Sequence, residues 1–196
     1  MNITAIYGSP RKDGNTDIFM NALVRGIREK GGSVNEVHLR NLTFSPCIEC
    51  GGCDTTGKCV LKDDMLTVYP LLTRADIVVL AAPVFFYGLN ALAKAMVDRC
   101  QCFWIRKYVL KKPLREAGTA KKRGVLLSTC GSKGKKSFDG LILSVRYFFD
   151  VLDMDFSHQI VCYNVDGKGE MLNHQTELDE AYNLGIALME QKQNNS

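Results

Sequence analysis

Five apolar, β-rich runs alternate along this chain with segments of helical periodicity, and that alternation restricts the architecture more than any other feature. The runs are Ile3 to Tyr7, Ser33 to Leu39, Asp76 to Ala82, Gly124 to Thr129 and Phe156 to Tyr163. The third (DIVVLAA) and fourth (GVLLST) are apolar almost throughout, as strands covered on both faces are. Between the first two, Thr16 to Lys30 carries Ile18, Phe19, Ala22, Leu23 and Ile27 at helical spacing and closes on Gly31 and Gly32. Further helices are predicted from Asp63 or Asp64, as cap, to about Arg74 with a kink at Pro70, then over Leu89 to Cys102, Phe138 to Leu152 and Glu177 to Gln191.

Strands that alternate with helices form a parallel sheet covered on both faces, and right-handed crossovers leave few topologies. The prediction is an α/β, three-layer, flavodoxin-like fold with a five-stranded parallel sheet in the order 2-1-3-4-5. In such sheets ligands bind outside the carboxyl ends of the strands, near the point where strand order reverses. One domain over residues 1–196 is expected, with a cysteine-rich loop at 46–62 and a basic connection at 105–123.

The opening MNITAIYGSP has no basic segment followed by an apolar stretch, and so does not read as a secretory leader. The longest apolar run, Ile77 to Leu89, is broken by Pro83 and Gly88 and is too short to span a bilayer. A cytoplasmic protein without membrane contact is expected, and in that compartment eight cysteines are ligands, redox groups or core residues rather than disulfides. The net charge of +4 is mild but uneven: eight basic residues and one acid, Glu116, lie between Arg106 and Arg123, followed by Lys133, Lys135 and Lys136. No aromatic-studded RNA-binding motif or zinc-finger spacing accompanies them, so they read as solvated surface or a rim for acidic partners, not a nucleic-acid site.

Three loops deserve chemistry. After the first strand, Gly8-Ser9-Pro10-Arg11-Lys12-Asp13-Gly14-Asn15-Thr16 runs straight into a helix. Small residues let backbone N–H groups approach an anion, the helix N-terminus adds partial positive charge, and Ser9, Arg11, Asn15 and Thr16 can donate hydrogen bonds. This is a phosphate cradle without the Walker lysine or the dinucleotide glycine pattern. After the third strand comes Pro83-Val84-Phe85-Phe86-Tyr87-Gly88. Pro83 would stiffen a turn and Gly88 would permit close backbone approach. Three successive aromatics cannot all enter one core, so at least one faces a cleft or a partner. After the fourth strand, Ser128-Thr129-Cys130-Gly131 suits hydrogen bonds to a flat polar ring, as an ordinary glycine-rich turn also would.

Cys47, Cys50, Cys53 and Cys59 follow the pattern C-x2-C-x2-C-x5-C. Spacings of two let a loop wrap three corners of a [4Fe–4S] cube, and Cys59 is near enough to close the fourth. Zinc is the second reading, although four-cysteine zinc sites pair separated knuckles and a shared Cys50 makes tetrahedral closure cramped. Thiols or labile disulfides without metal are the third. Cys100, Cys102 and Cys162 read as buried small hydrophobes, and His38, His158 and His174 as isolated structural or surface residues. No side chain reads as a catalytic acid, base or nucleophile.

GSPRKDGNT and APVFFYGLNALAKAMVDR resemble the NADPH-dependent FMN reductase branch of the flavodoxin-like superfamily, and with the compact cysteine motif between them the chain is similar to the iron–sulfur flavoproteins. The resemblance covers Ile3 to about Gly134. It implies FMN, with Ser9, Arg11, Asn15 and Thr16 on the 5′-phosphate, and Pro83, Val84, Phe85, Phe86, Tyr87 and Gly88 along the isoalloxazine. Ser128, Thr129, Cys130 and Gly131 would contact the ring or ribityl chain. It further implies a homodimer or homotetramer and an oxidoreductase fed by NAD(P)H or by a ferredoxin-type carrier. Electrons would pass between a [4Fe–4S] cluster and FMN to a small-molecule or protein acceptor. A cluster-free NAD(P)H-dependent FMN or quinone reductase and a zinc-stabilised, non-enzymatic binding module remain as alternatives.

Overall fold

The period-two alternation within each apolar run divides the molecule into two cores on either side of one sheet. Along β3 (Ile77–Phe85), Ile77, Val79 and Ala81 face one core while Val78, Leu80 and Ala82 face the other. The computed structural model describes residues 1–115 and 122–190. Residues 116–121 of the basic connection, Gln191 of the last predicted helix and the tail after it lie outside that set.

The five expected strands are β1 (Ile3–Tyr7), β2 (Val34–His38), β3, β5 (Lys122–Thr129) and β6 (Met154–Cys162), all parallel, in the order β2-β1-β3-β5-β6. A sixth strand, β4 (Gly88–Leu89), was not expected; it pairs antiparallel with the end of β3 in a tight hairpin. β3 therefore runs three residues past the predicted end at Ala82. Pro83 lies within the strand and not in a turn. It pairs with Thr129 beyond the last residue matched to β1, so its missing N–H falls where that neighbour has ended. The hairpin tip is Phe86 and Tyr87, both left-handed at φ 47° and 62°, a turn usually given to Asn-Gly. A Cβ on Gly88 would find only the Phe85 carbonyl, at 3.9 Å, so the close approach expected there is absent.

Helices α1 (Asn15–Glu29) and α6 (Gln175–Glu190) pack together over one face. They approach through reciprocal glycines: a Cβ on Gly26 would lie 2.1 Å from the Tyr182 carbonyl, and one on Gly185 would lie 2.2 Å from that of Leu23. The other face carries α2 (Met65–Arg74, with Pro70 inside it), α3 (Ala91–Arg99) and α5 (Asp139–Val151). The single helix expected over Leu89 to Cys102 is broken at Cys100. A short α4 (Gln101–Trp104) and a wider π turn (Ile105–Val109) follow, the π turn forming the start of the basic segment. Among the described residues no helix is long and apolar enough to cross a membrane.

Candidate functional site

Four loops at the carboxyl edge of the sheet enclose a cleft of about 190 Å³. Ser9, Arg11, Asn15 and Thr16 line it after β1, Pro83, Val84 and Phe85 at the end of β3, and Thr129, Cys130 and Gly131 after β5. Val165 and Asp166, just beyond β6, complete it; the sequence offered no motif there. Phe86, Tyr87, Gly88 and Ser128 are not in its wall. Phe86 is fully exposed at the hairpin tip and Tyr87 largely so. Ser128 is buried, and its hydroxyl donates to the Ala82 carbonyl at 2.7 Å, tying β5 to β3 behind the cleft.

The cradle is built by α1 and its supports. Gly14 stands at the N-cap and no side chain caps the first turn, which leaves helix N–H groups able to receive an anion. The Ser9 hydroxyl accepts from the Arg11 N–H at 3.1 Å and folds the turn. The Arg11 guanidinium donates to the Asp166 carbonyl at 3.4 Å. Asn15 has a different task for its side chain. Its Nδ2 donates to the Gly167 carbonyl at 2.8 Å, and its Oδ1 accepts from the N–H groups of Gly169 and Met171 at 2.9 and 3.2 Å. The amide thus fastens the loop after β6 to α1, and its backbone N–H is what remains for the cleft. Beneath them Asp17 pairs with Arg40 at 2.9 Å, both side chains largely buried, and Arg40 also donates to the Ser9 carbonyl at 3.4 Å. Arg40 follows β2, and nothing in its local sequence linked it to α1.

Against the face of the sheet that carries α2, α3 and α5, the cysteine loop forms a second hollow, of about 290 Å³. Cys47, Cys50, Cys53 and Cys59 all line it, with Arg99 and, unexpectedly, Cys102. The loop has no strand and is held at its base. The Asp63 carboxylate accepts from the Ser45 N–H at 3.2 Å, and that of Asp64 accepts from the Thr43 N–H at 2.7 Å. Arg99, its side chain fully buried, grips Asp63 through Nη1 and Nη2 at 2.5 and 3.1 Å and the Ser45 carbonyl at 2.8 Å. The expected capping role of Asp63 is present, since its carboxylate accepts from the Met65 N–H at 3.1 Å, but it is one contact of several. Arg99 does not pair with its neighbour Asp98, which is bound by Lys94 at 2.6 Å. Inside the loop, Gly51 and Gly57 hold φ values of 68° and 67°, a conformation that glycine adopts without steric penalty.

Electrostatics follow this packing. The hydrogen bond from Arg99 holds the Asp63 carboxyl below its usual range, against the opposing effect of burial. Burial, then the neighbouring Cys59 and Cys53, push the Cys102 thiol up to about 12, so Cys102 stays protonated. Among the described residues all eight cysteines are free thiols. Among the described residues the ligating atoms of Cys162, His174 and Glu177 meet within 4.8 Å of one another, so His174 is not isolated as expected.

The model of the family described as NADPH-dependent FMN reductase matches residues 1–154. The chain belongs to that family. An iron–sulfur flavoprotein of Methanosarcina thermophila is 34% identical over 133 residues, which cover 68% of this chain and 65% of that protein. A second iron–sulfur flavoprotein, from Archaeoglobus fulgidus, is 35% identical over 99 residues, 50% of this chain and 45% of that one. The chain therefore spans between about half and two thirds of these relatives' length. Among solved structures, the NAD(P)H:quinone oxidoreductase from Methanothermobacter marburgensis superposes with a TM-score of 0.67 at 15% identity, covering 96% of each chain. A flavodoxin from the domain Archaea superposes with a TM-score of 0.56 at 16% identity, covering 97% of this chain and 98% of that one. At such identity these two establish the flavodoxin-like fold of this family member and nothing about its ligands.

Proposed function

We propose that this chain is an FMN-dependent oxidoreductase whose loop cysteines hold a [4Fe–4S] cluster. Membership of the reductase family supports FMN, and the residues of the cleft suit it. The uncapped start of α1, Arg11 and the Ser9 turn are matched to a phosphate dianion, while Pro83, Val84 and Phe85 offer an apolar wall to a planar ring. When bound, FMN supplies both two-electron and one-electron exchange, and a cluster supplies single electrons. The chain's own residues bind, orient and shield these groups, and none is required as an acid or base.

The single observation that carries the cluster reading is that Cys47, Cys50, Cys53 and Cys59 all line one hollow of about 290 Å³, so four thiolates can surround one bound group. The names of the curated relatives point the same way. Iron, acid-labile sulfide, zinc and FMN measured on one anaerobically purified sample test the proposal. Four iron and four sulfide with one FMN per chain are expected. FMN without iron would leave a cluster-free reductase, and zinc without FMN a structural binding module.

The exposed Phe86, Tyr87, Leu143 and Tyr147 favour a self-associating surface, so a homodimer or homotetramer is part of the proposal. NAD(P)H or an acidic ferredoxin-type carrier, attracted by basic residues such as Arg106, Lys111 and Lys112, is the proposed donor.

A further inference from the structure

Arg99 is buried beyond what its salt bridge explains. Its side chain is fully excluded from solvent, whereas the partner Asp63 is 17% exposed. Its two terminal nitrogens are used on Asp63 and the Ser45 carbonyl. Its Nε is buried and has no hydrogen-bond partner among the described residues. Buried donors are rarely left unpaired, and each such case calls for a ligand or a function. Arg40 shares this property, but Arg99 lines the hollow that holds the four loop thiols. Cys59 and Arg99 line the same hollow.

We infer that the Arg99 Nε–H donates to a sulfur in this hollow, which makes Arg99 a positioning residue that raises the reduction potential of the group bound there. The inference rests on the cluster reading above. Arginine suits the task because its rigid fork can clamp Asp63 and Ser45 with one edge while presenting a further donor elsewhere; lysine has no such geometry. Reduction adds one electron to the cluster and moves no proton, since a guanidinium stays charged at every accessible pH. The added negative charge is stabilised by a buried cation and a charge-assisted hydrogen bond to sulfur, both of which favour the reduced state.

Two measurements test this. The first is a dithionite titration of anaerobic protein followed by electron paramagnetic resonance. Arg99→Lys keeps the charge and loses the Nε donor, and Arg99→Gln loses both. The equilibrium constant for electron uptake should fall in both, about tenfold or more in R99Q, which is about 59 mV for a one-electron couple. A smaller fall in the same direction is expected in R99K. The second uses wild-type protein grown on 15N-arginine, where electron spin-echo modulation of the reduced cluster should show a weak 15N coupling. That reading stands even if both variants fail to fold or to load iron. Wild-type protein without iron and sulfide overturns the cluster reading and this inference with it. A loaded wild type without 15N coupling, or loaded variants with the wild-type potential, overturns the inference alone.

Discussion

The cleft and the cysteine hollow are held in shape by different means. The cleft is a product of topology. Its loops hang from the ends of β1, β3, β5 and β6, whose positions are set by ladder hydrogen bonds and two apolar cores, and side chains such as Asn15 and Ser128 only fasten what the strands have already placed. The cysteine hollow has no ladder beneath it. It is an irregular loop closed at its base by Asp63, Asp64 and one buried arginine. A site of the first kind tolerates the loss of one fastening, whereas a site of the second kind concentrates its order in a few ionic contacts.

Asp63→Ala should break the comparison most sharply. Removing one partner of a buried pair leaves Arg99 charged and unpaired, at a cost of about 3 kcal/mol. Urea unfolding should show that loss, and limited proteolysis should cut within residues 46–62 while FMN still binds. Asn15→Ala should act on the other side. It orphans the N–H groups of Gly169 and Met171, at a cost of about 2 kcal/mol, and should weaken FMN about tenfold. Fluorescence titration checks the affinity, and unchanged thiol reactivity of the cysteine loop checks the separation. Arg11→Gln should be milder and more selective. A loss of about fivefold is expected for FMN and none for riboflavin, which lacks the phosphate; equal losses would remove Arg11 from the phosphate.

The smallest expected effect is on pH dependence. The folded-state pKa of Asp63 is depressed by Arg99, so the unfolded chain binds its proton first as pH falls. The stability this contributes is present above the usual carboxylate range near 3.9. It is lost progressively as pH drops through that range towards the lower folded value. Urea midpoints compared at pH 7 and pH 3 should fall less in Asp63→Asn than in the wild type. An equal fall in both would show that the loop does not depend on this ionisation.

Much of the cleft was legible because its signals are local. Ile3 to Tyr7 announces a buried strand, and GSPRKDGNT announces a cradle before a helix, within fourteen residues of chain. What was missed depends on contacts far apart in sequence. The Asp63–Arg99 pair joins residues 36 apart and the Asp17–Arg40 pair residues 23 apart, and neither pairing leaves a periodic trace. Cys102 read as an ordinary core residue because its spacing from Cys59 means nothing until the break at Cys100 and the fold of the loop bring them together. The β4 hairpin escaped for another reason: two left-handed aromatics at its tip replace the glycine or asparagine by which such turns are recognised.

By itself the sequence determined the parallel α/β sheet, its strand order and the presence of four clustered thiols. Strand and helix periodicities are properties of neighbouring residues, and crossover handedness converts them into one topology. Only the tertiary structure decided that the thiols share a hollow with a buried arginine, that Asn15 braces a loop from the far end of the chain, and that Val165 and Asp166 close the cleft. Those outcomes depend on which distant side chains bury each other's charges and hydrogen bonds, and burial is a property of the packed chain rather than of any segment of it.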